Sequence, residues 1–333
     1  MHVFIDESGS FSGYHERSVS VVGALVLPTW KLPIIRSKYA KLRRFLPTDK
    51  GEVKGRLMNE SQVDKVVTLL RRNDAIFELT AVDLGFQTED EILNYKRQHA
   101  REMTQRASRF KEPDRTEVEK ACRQIEQTSA PLYLQAIATF EVLKDILDHV
   151  PLYFSQRQPY ELGHFAWRID GKDAKKATDW ETWWSWYAIG ALATMSRTRP
   201  QPVLEGADLS HFDRFKMTSG AEQGSDGRLL LSDLQFCSSI EPELELVDIM
   251  VNASRRALVG TLGVAGFANI SQLMIHRRGP CLKFLLLKDN ASAVIKNPAY
   301  AGIVKRYFSG GGRTMLSPRF LRQAQDEEIG KQA

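Results

Sequence analysis

Acidic side chains at four separated places in this 333-residue chain are the residues whose types and spacing suggest chemistry. Asp6 and Glu7 follow an apolar run, Glu52 lies between two glycines, Asp170 precedes a glycine, and Asp248 interrupts an apolar helical pattern. Carboxylate oxygens are the ligands that hard divalent cations prefer, and two such ions that hold a phosphodiester need several converging carboxylates. The sequence therefore predicts a Mg²⁺ or Mn²⁺ site that is built from distant segments.

The first strand predicts where this site lies. Residues 3–5 form a β-branched and aromatic run that ends abruptly in the polar residues 6–9, DESG. Open α/β sheets bind their ligands at the carboxyl ends of the strands, which is where Asp6 and Glu7 are expected. The alternative is that residues 6–9 only form a turn, because Asp, Ser and Gly are turn formers by themselves.

The elements that must position the other acids follow from hydrophobic periodicity. A strand over residues 18–27 is predicted to pair with the first as an antiparallel hairpin, and an amphipathic helix follows over residues 30–45. Further strands are predicted over residues 75–84 and 164–169, and the latter ends in Asp170. Together these elements predict an α/β fold with a mixed sheet flanked by helices.

Asp248 is predicted to lie on the apolar side of a helix over residues 242–257. Its neighbours Val247, Ile249 and Met250 would make an unpartnered carboxylate there a costly core residue. Asp248 is therefore expected either to pair with a buried base or to face a cleft.

The chain divides into four segments by charge and predicted secondary structure. Residues 1–86 and 151–258 are predicted to form the two parts of the core. Residues 87–150 are long, charge-rich and helical, and are predicted to be a helical insertion that forms a lid or a surface for a protein partner; a plain helical layer of the same domain is the alternative. Residues 259–333 are predicted to be a basic C-terminal extension.

The charge distribution suggests a polyanionic partner. The net charge is +5, yet residues 255–325 contain twelve Lys or Arg and a single acid, which leaves a net charge of −6 on the rest of the chain. A basic part attached to a body that carries carboxylates predicts binding of nucleic acid, DNA or RNA, with Lys305, Arg306 and Arg313 as candidate contacts. The alternative is a solvated basic surface without a ligand.

Other sequence features exclude several classes of protein. No secretory leader and no long apolar span are found, so the expected location is the cytoplasm and no membrane contact is expected. Cys122, Cys237 and Cys281 are far apart, which argues against a disulfide framework or a zinc ribbon. We expect them to be reduced and mostly buried thiols.

Four motifs, VFIDESGS, GEVKG, WRIDGKD and ELELVDIMVNASRR, resemble those of the bacterial family of domains of unknown function numbered 3800. The resemblance implies a ribonuclease H-like fold and an association with antiphage defence or mobile elements. The N-terminal motif is the specific one. The chain departs from the family at Glu245, where glutamine is usual, and at residues 237–239, CSS, where an Asp-Ser pair is common.

The resemblance also implies roles for individual residues. Asp6 is the expected central metal ligand, and the other members of the acidic cluster are Glu52, Asp170 and Asp248. Lys54 is expected beside the site, where it contacts phosphate. Two roles stay open for Glu7, a supporting ligand or an acceptor within the turn. Asp83, near the end of another strand, stays a rival to Asp170.

These features together predict a metal-dependent nuclease that hydrolyses phosphodiester bonds by a two-metal carboxylate mechanism. His164 and His211 are conceivable proton shuttles, but the mechanism does not require them. The alternatives are a non-catalytic nucleic-acid-binding or scaffold protein and a partner-binding subunit of a defence complex. Convergence of the four acidic positions within metal-bridging distance is the observation that distinguishes the enzyme from these alternatives.

Overall fold

The structure is a computed structural model that describes residues 1–107, 114–171, 178–198, 204–216, 227–276, 281–287, 302–303 and 312–323. Within these ranges the strands are β1 (His2–Ser8), β2 (Val19–Leu27), β3 (Thr48–Asp49), β4 (Glu52–Val53), β5 (Ile76–Asp83), β6 (Ala166–Asp170), β7 (Asp233–Cys237) and β8 (Lys283–Leu285). The α-helices of the same ranges are α1 (Leu32–Arg43), α2 (Glu60–Arg71), α3 (Glu89–Ala107), α4 (Asp114–Gln127), α5 (Ala130–Ser155), α6 (Asp179–Trp183), α7 (Ile189–Thr198), α8 (Gly227–Leu230), α9 (Pro242–Leu258) and α10 (Val264–Phe267).

The main sheet is mixed and has six strands in the order β7-β6-β1-β2-β5-β8, while β3 and β4 form a separate hairpin. Strand β2 runs antiparallel to both β1 and β5, whereas the β1–β6, β6–β7 and β5–β8 pairs are parallel. Five strands therefore share one direction, and their carboxyl ends lie at the same edge. This arrangement confirms the predicted α/β fold, the mixed sheet and the antiparallel hairpin of β1 with β2.

Helices cover both faces of the sheet, which explains why its inner strands are continuously apolar. All nine residues of β2 and all eight of β5 are buried. One face packs against α5 and the aromatic segment of α6, which includes Trp180 and Trp183. The opposite face, with Phe4 and Leu25, packs against α1, α2 and α9. This second face is the one that carries the candidate site.

The segment predicted as a helical insertion divides into two structural parts. Helices α3 and α4 pack mainly against each other, whereas α5 packs on β5 and β2 and buries sixteen of its residues. Helix α5 therefore belongs to the layer that covers the sheet, and the predicted boundary at residue 150 lies inside it. Long-range packing places α5 in the core, and local charge and periodicity did not separate it from α3 and α4.

The described part of the basic extension is tied to the core. Strand β8 adds to the edge of the sheet beside β5, and Lys283 forms ion pairs of 2.9 Å with Glu141 and 2.8 Å with Asp145 on α5. The Arg313 guanidinium donates to the carbonyl oxygens of Ala75 at 2.9 Å and Arg71 at 3.1 Å. The extension therefore contributes a strand and packing contacts.

The ion pairs of Glu141 predict a pH-dependent part of the stability. Burial opposes ionisation of Glu141, but hydrogen bonds and charges from Lys144 and Lys283 outweigh it and hold the pKa of Glu141 below its ordinary value of 4.5. A lowered pKa in the folded state adds stability above pH 4.5 that is lost as the pH falls through the folded-state pKa. We therefore expect Glu141→Gln to lower the free energy of unfolding by about 1 kcal/mol at pH 7, and the loss to shrink towards pH 3. Urea denaturation at both pH values measures the loss of unfolding free energy. An equal loss at both would contradict a lowered pKa of Glu141 in the folded state.

Two simpler expectations concern cysteines and membranes. Cys122, Cys237 and Cys281 are all free and buried, as predicted. In the part of the chain that the structure describes, no helix combines the length and the apolar character needed to cross a bilayer.

Candidate functional site

Asp6 and Asp170 come together because β1 and β6 are parallel neighbours. The register pairs Ile5 with Ile169, so Asp6 and Asp170 are the next residues of their strands at the same edge of the sheet. Neighbouring strands lie about 4.8 Å apart, and side chains in equivalent positions point to the same face. The sheet alone therefore gathers two of the four predicted acidic positions, and the pairing of Asp170 with Cys237 on β7 continues this edge.

Helix α9 brings the third position to the same face. Gly23 pairs with Asp6 in the sheet, and a Cβ atom at Gly23 would lie 2.7 Å from the Val251 side chain of α9. The missing side chain therefore allows α9 to pack closely over β1 and β2. Asp248, one turn before Val251, is placed over the strand that carries Asp6.

A chain of hydrogen bonds that links three segments fixes the Asp248 carboxylate. The Gly55 N–H donates to Asp248 Oδ2 at 2.7 Å, and Asn252 Nδ2 donates to Asp248 Oδ1 at 2.9 Å. Ser8 Oγ in turn donates to Asn252 Oδ1 at 3.0 Å. The loop after β4 therefore contacts this carboxylate directly, and the strand β1 contacts it through Asn252 of α9.

Gly55 is required for this contact because the loop lies directly on α9. A Cβ atom at Gly55 would come within 2.7 Å of Ile249 Cα and 2.9 Å of the Asp248 carbonyl oxygen. Those atoms belong to a helix backbone and have little room to move.

We expect Gly55→Ala to displace the loop, to lower the free energy of unfolding by about 1–3 kcal/mol and to weaken any metal binding. Thermal denaturation with and without Mn²⁺ measures both effects. Gly51→Ala gives the comparison: Gly51 has a left-handed φ of +85°, but nothing lies within 4 Å of the place that a Cβ atom would take, so alanine there strains the backbone without crowding α9.

Glu52 and Lys54 lie next to Asp248 on the short β3–β4 hairpin. Lys54 Nζ is 2.7 Å from Glu52 Oε1, and both side chains are 31% exposed. Burial opposes the charge on Lys54, but Glu52, Asp248 and Asp170 outweigh it and raise the pKa of Lys54. A cation is therefore held at the accessible side of the acidic cluster.

The electrostatics of the site show an excess of negative charge. Burial, followed by the charges of Glu7, Asp248 and Asp170, raises the pKa of Asp6 well above its ordinary value. Burial also raises the pKa of Asp248 to about 6, although the Gly55 N–H and Lys54 act in the opposite direction. Because these carboxylates disfavour one another's ionisation, a cation bound among them would relieve the repulsion.

Two other acids of the same edge are placed differently. Glu7 follows Asp6 in β1 and so points to the opposite face of the sheet, although its charge still acts on Asp6. Asp83 is separated from β1 by β2, and its Oδ1 accepts a hydrogen bond from Gly85 N–H at 2.8 Å. Of the two rivals, Asp170 is the one that adjoins Asp6.

The remaining candidates that the structure describes lie away from the acidic cluster. His164 precedes β6, at the opposite edge of the sheet, and lies 3.1 Å from Asp233. His211 packs near the turn that precedes His164. Arg313 uses its guanidinium on carbonyl oxygens of the core, so its predicted contact with nucleic acid gains no support from this geometry. Lys305 and Arg306 lie outside the described residues.

Sequence reasoning missed the residues that hold the acids in place. Asn252 lies four residues after Asp248, a spacing that puts both on one face of α9 and that could have identified it. Glu245 binds Arg43 on α1 and the Val53 N–H of β4, and so positions the hairpin of Glu52. No local signal reveals that Glu245 positions the hairpin, because its partners Arg43 and Val53 are about 200 residues away in the chain.

The donor set of the site suits a hard cation by its chemistry, since it consists of carboxylates with one lysine. Among the described residues, no three His, Cys, Asp or Glu side chains are already gathered around one cation position. Convergence of the acids within metal-bridging distance is therefore not shown, although Asp170 and Asp248 lie close enough to raise the pKa of Asp6. The arrangement gathers carboxylates and one ammonium group at one edge of the sheet.

Comparison of the whole chain with protein-family models, with curated proteins and with solved structures finds no match in any of the three.

Proposed function

We propose that this chain is a metal-dependent nuclease that hydrolyses phosphodiester bonds of DNA or RNA with Mg²⁺ or Mn²⁺. In this proposal the sheet is a ribonuclease H-like core, as the resemblance to the family numbered 3800 implies, and the protein acts in antiphage defence or in a mobile element. The observation that supports the proposal most is the convergence of Asp6, Asp170 and Asp248 on one face of the sheet edge.

The energetics favour a functional role for this convergence. Clustered carboxylates that raise one another's pKa destabilise the folded state, and a purely structural core would gain from neutral side chains at these positions. Buried acids with strongly raised pKa values at the carboxyl ends of strands are typical of active sites. The fold supports the proposal because β1, which carries the central acid, lies in the middle of the sheet.

The proposed mechanism assigns each side chain a task. Asp6, Asp170, Asp248 and Glu52 would hold the divalent cations, which would supply an activated water and neutralise charge on the phosphodiester. Gly55 and Asn252 orient Asp248 through hydrogen bonds to its two carboxylate oxygens. The accessible ammonium group of Lys54 attracts the phosphate.

A cleavage assay tests the proposal. Labelled single-stranded, duplex and hybrid oligonucleotides are incubated with the full chain in Mg²⁺ or Mn²⁺, with and without a chelator. We expect cleavage of at least one substrate that the chelator and Asp170→Asn both abolish. Asp83→Asn is the matched control, because Asp83 is a buried acid at the same edge whose replacement leaves the cluster intact.

Binding without cleavage under all of these conditions would contradict the nuclease and favour a non-catalytic nucleic-acid-binding or scaffold protein. A protein partner on residues 87–150 and a cytoplasmic location remain predictions from the sequence.

A further inference from the structure

Arg255 lies on the same side of α9 as the residues of the acidic site. Asp248, Asn252 and Arg255 follow one another at spacings of four and three, which puts them on one face of the helix. Seven residues of helix rise by about 10 Å, so Arg255 is about two turns beyond Asp248. The site therefore continues along α9 into a basic side chain.

A break in the sheet fixes the position of this arginine. Strand β1 ends at Ser8, and Gly9 adopts a left-handed φ of +113°, so that the chain leaves the ladder next to Ser20. The Val19 carbonyl lies beyond the last residue pair of the β1–β2 ladder, and Arg255 Nε donates to this carbonyl at 2.7 Å. The bond anchors the guanidinium over the end of the β1–β2 hairpin, directly beyond Ser8.

Only one edge of the guanidinium is used by this bond. Among the residues that the structure describes, neither terminal nitrogen of Arg255 has a hydrogen-bond or ion-pair partner, and the side chain is half-buried. The neighbouring Arg256 differs, because its Nη1 donates to the carbonyl oxygens of Met58 at 2.6 Å and Gly55 at 3.3 Å. Arg256 therefore supports the loop of the site, whereas Arg255 keeps the four N–H donors of its two terminal nitrogens for a ligand.

We propose that Arg255 binds a backbone phosphate of a nucleic-acid strand, next to the phosphodiester that the acidic cluster holds. This inference rests on the proposed function and specifies the substrate as a polynucleotide strand. A guanidinium that is anchored at Nε presents its two terminal nitrogens, Nη1 and Nη2, in the fork that suits phosphate. The distance along α9 corresponds to a phosphate one to about three nucleotides away, because successive phosphates of a stacked strand rise by about 3.4 Å.

The test measures binding in a variant that is not expected to cleave, so that it does not depend on catalysis. Fluorescence anisotropy follows labelled single-stranded DNA and RNA oligonucleotides bound to Asp6→Asn, in a chelator, over a range of salt concentrations. We expect the further change Arg255→Gln to weaken binding about tenfold for all sequences and to reduce the salt slope by about one. Arg101→Gln, an exposed arginine on α3, is the matched control and should change neither value.

Glutamine at position 255 keeps an N–H donor for the Val19 carbonyl, so the melting temperature should stay within about 2 °C of the parent protein. Unchanged affinity and salt slope in a folded Arg255→Gln variant would overturn the proposal, as would a lack of binding of any strand at low salt. A tenfold loss of binding in a protein that never cleaves would support Arg255 and refute only the nuclease.

Discussion

Replacing Asp6 with asparagine is expected to abolish cleavage and, in the absence of metal, to stabilise the fold. The Asp6 carboxylate is buried, and its pKa is raised by burial and by the charges of Glu7, Asp248 and Asp170. Asparagine keeps the oxygen that accepts the Glu7 N–H at 2.8 Å, yet it carries no charge. We expect the free energy of unfolding at pH 7 in a chelator to rise by about 1–3 kcal/mol.

The loss of activity has a separate cause, since the neutral amide is a poor ligand for a hard cation. Loss of outer-shell partners already costs metal sites about 10- to 100-fold in affinity or activity, so removal of a ligand should cost at least about 100-fold. Urea denaturation and the cleavage assay measure the two effects on the same preparation. A variant that is less stable than the parent and still active would show that Asp6 is only a structural residue.

Glu245→Ala is expected to cause a large loss of stability. The Glu245 carboxylate is 1% exposed and accepts bonds from Arg43 Nε at 2.7 Å, Arg43 Nη2 at 2.7 Å, Val53 N–H at 2.7 Å and Tyr39 OH at 3.0 Å. Alanine leaves these donors without this acceptor, which should lower the free energy of unfolding by about 3–5 kcal/mol. The β3–β4 hairpin then loses its tie to α9, so Glu52 should lose its position and activity should fall as well.

Glu243→Ala is the matched comparison for this effect. Glu243 is also buried on α9, but its ion pair is with Arg36, whose side chain is 58% exposed, at a distance of 2.6 Å. We expect its removal to cost about 1–2 kcal/mol, because a partner near water is easily rehydrated. Denaturation by urea at 25 °C compares the two variants, and equal losses would contradict the special role of Glu245. Glu245→Gln, which keeps one acceptor oxygen, should lie between the parent and the alanine variant.

The elements that carry the acids could be predicted because their signals are local. The apolar run before Asp6, the β1–β2 hairpin and the amphipathic pattern of α9 each lie within a short segment, and all three are confirmed.

The contacts that turn these elements into a site could not be predicted, because they join distant segments. The bond from Gly55 to Asp248 spans 193 residues, and that from Ser8 to Asn252 spans 244. Strand β8 is another case, since its apolar run is short and gains its place in the sheet only by pairing with β5. The sequence alone also could not rank Asp170 above Asp83, because the rank depends on which strand adjoins β1.

Titration calorimetry with Mn²⁺ on the metal-free full chain tests the central claim most directly, because it measures metal binding without requiring the right nucleic acid. We expect the parent protein and Asp83→Asn to bind Mn²⁺ alike, and Asp6→Asn to bind it at least about 100-fold more weakly. Equal binding by Asp6→Asn and the parent, or no binding by the parent, would contradict a metal site at the acidic cluster.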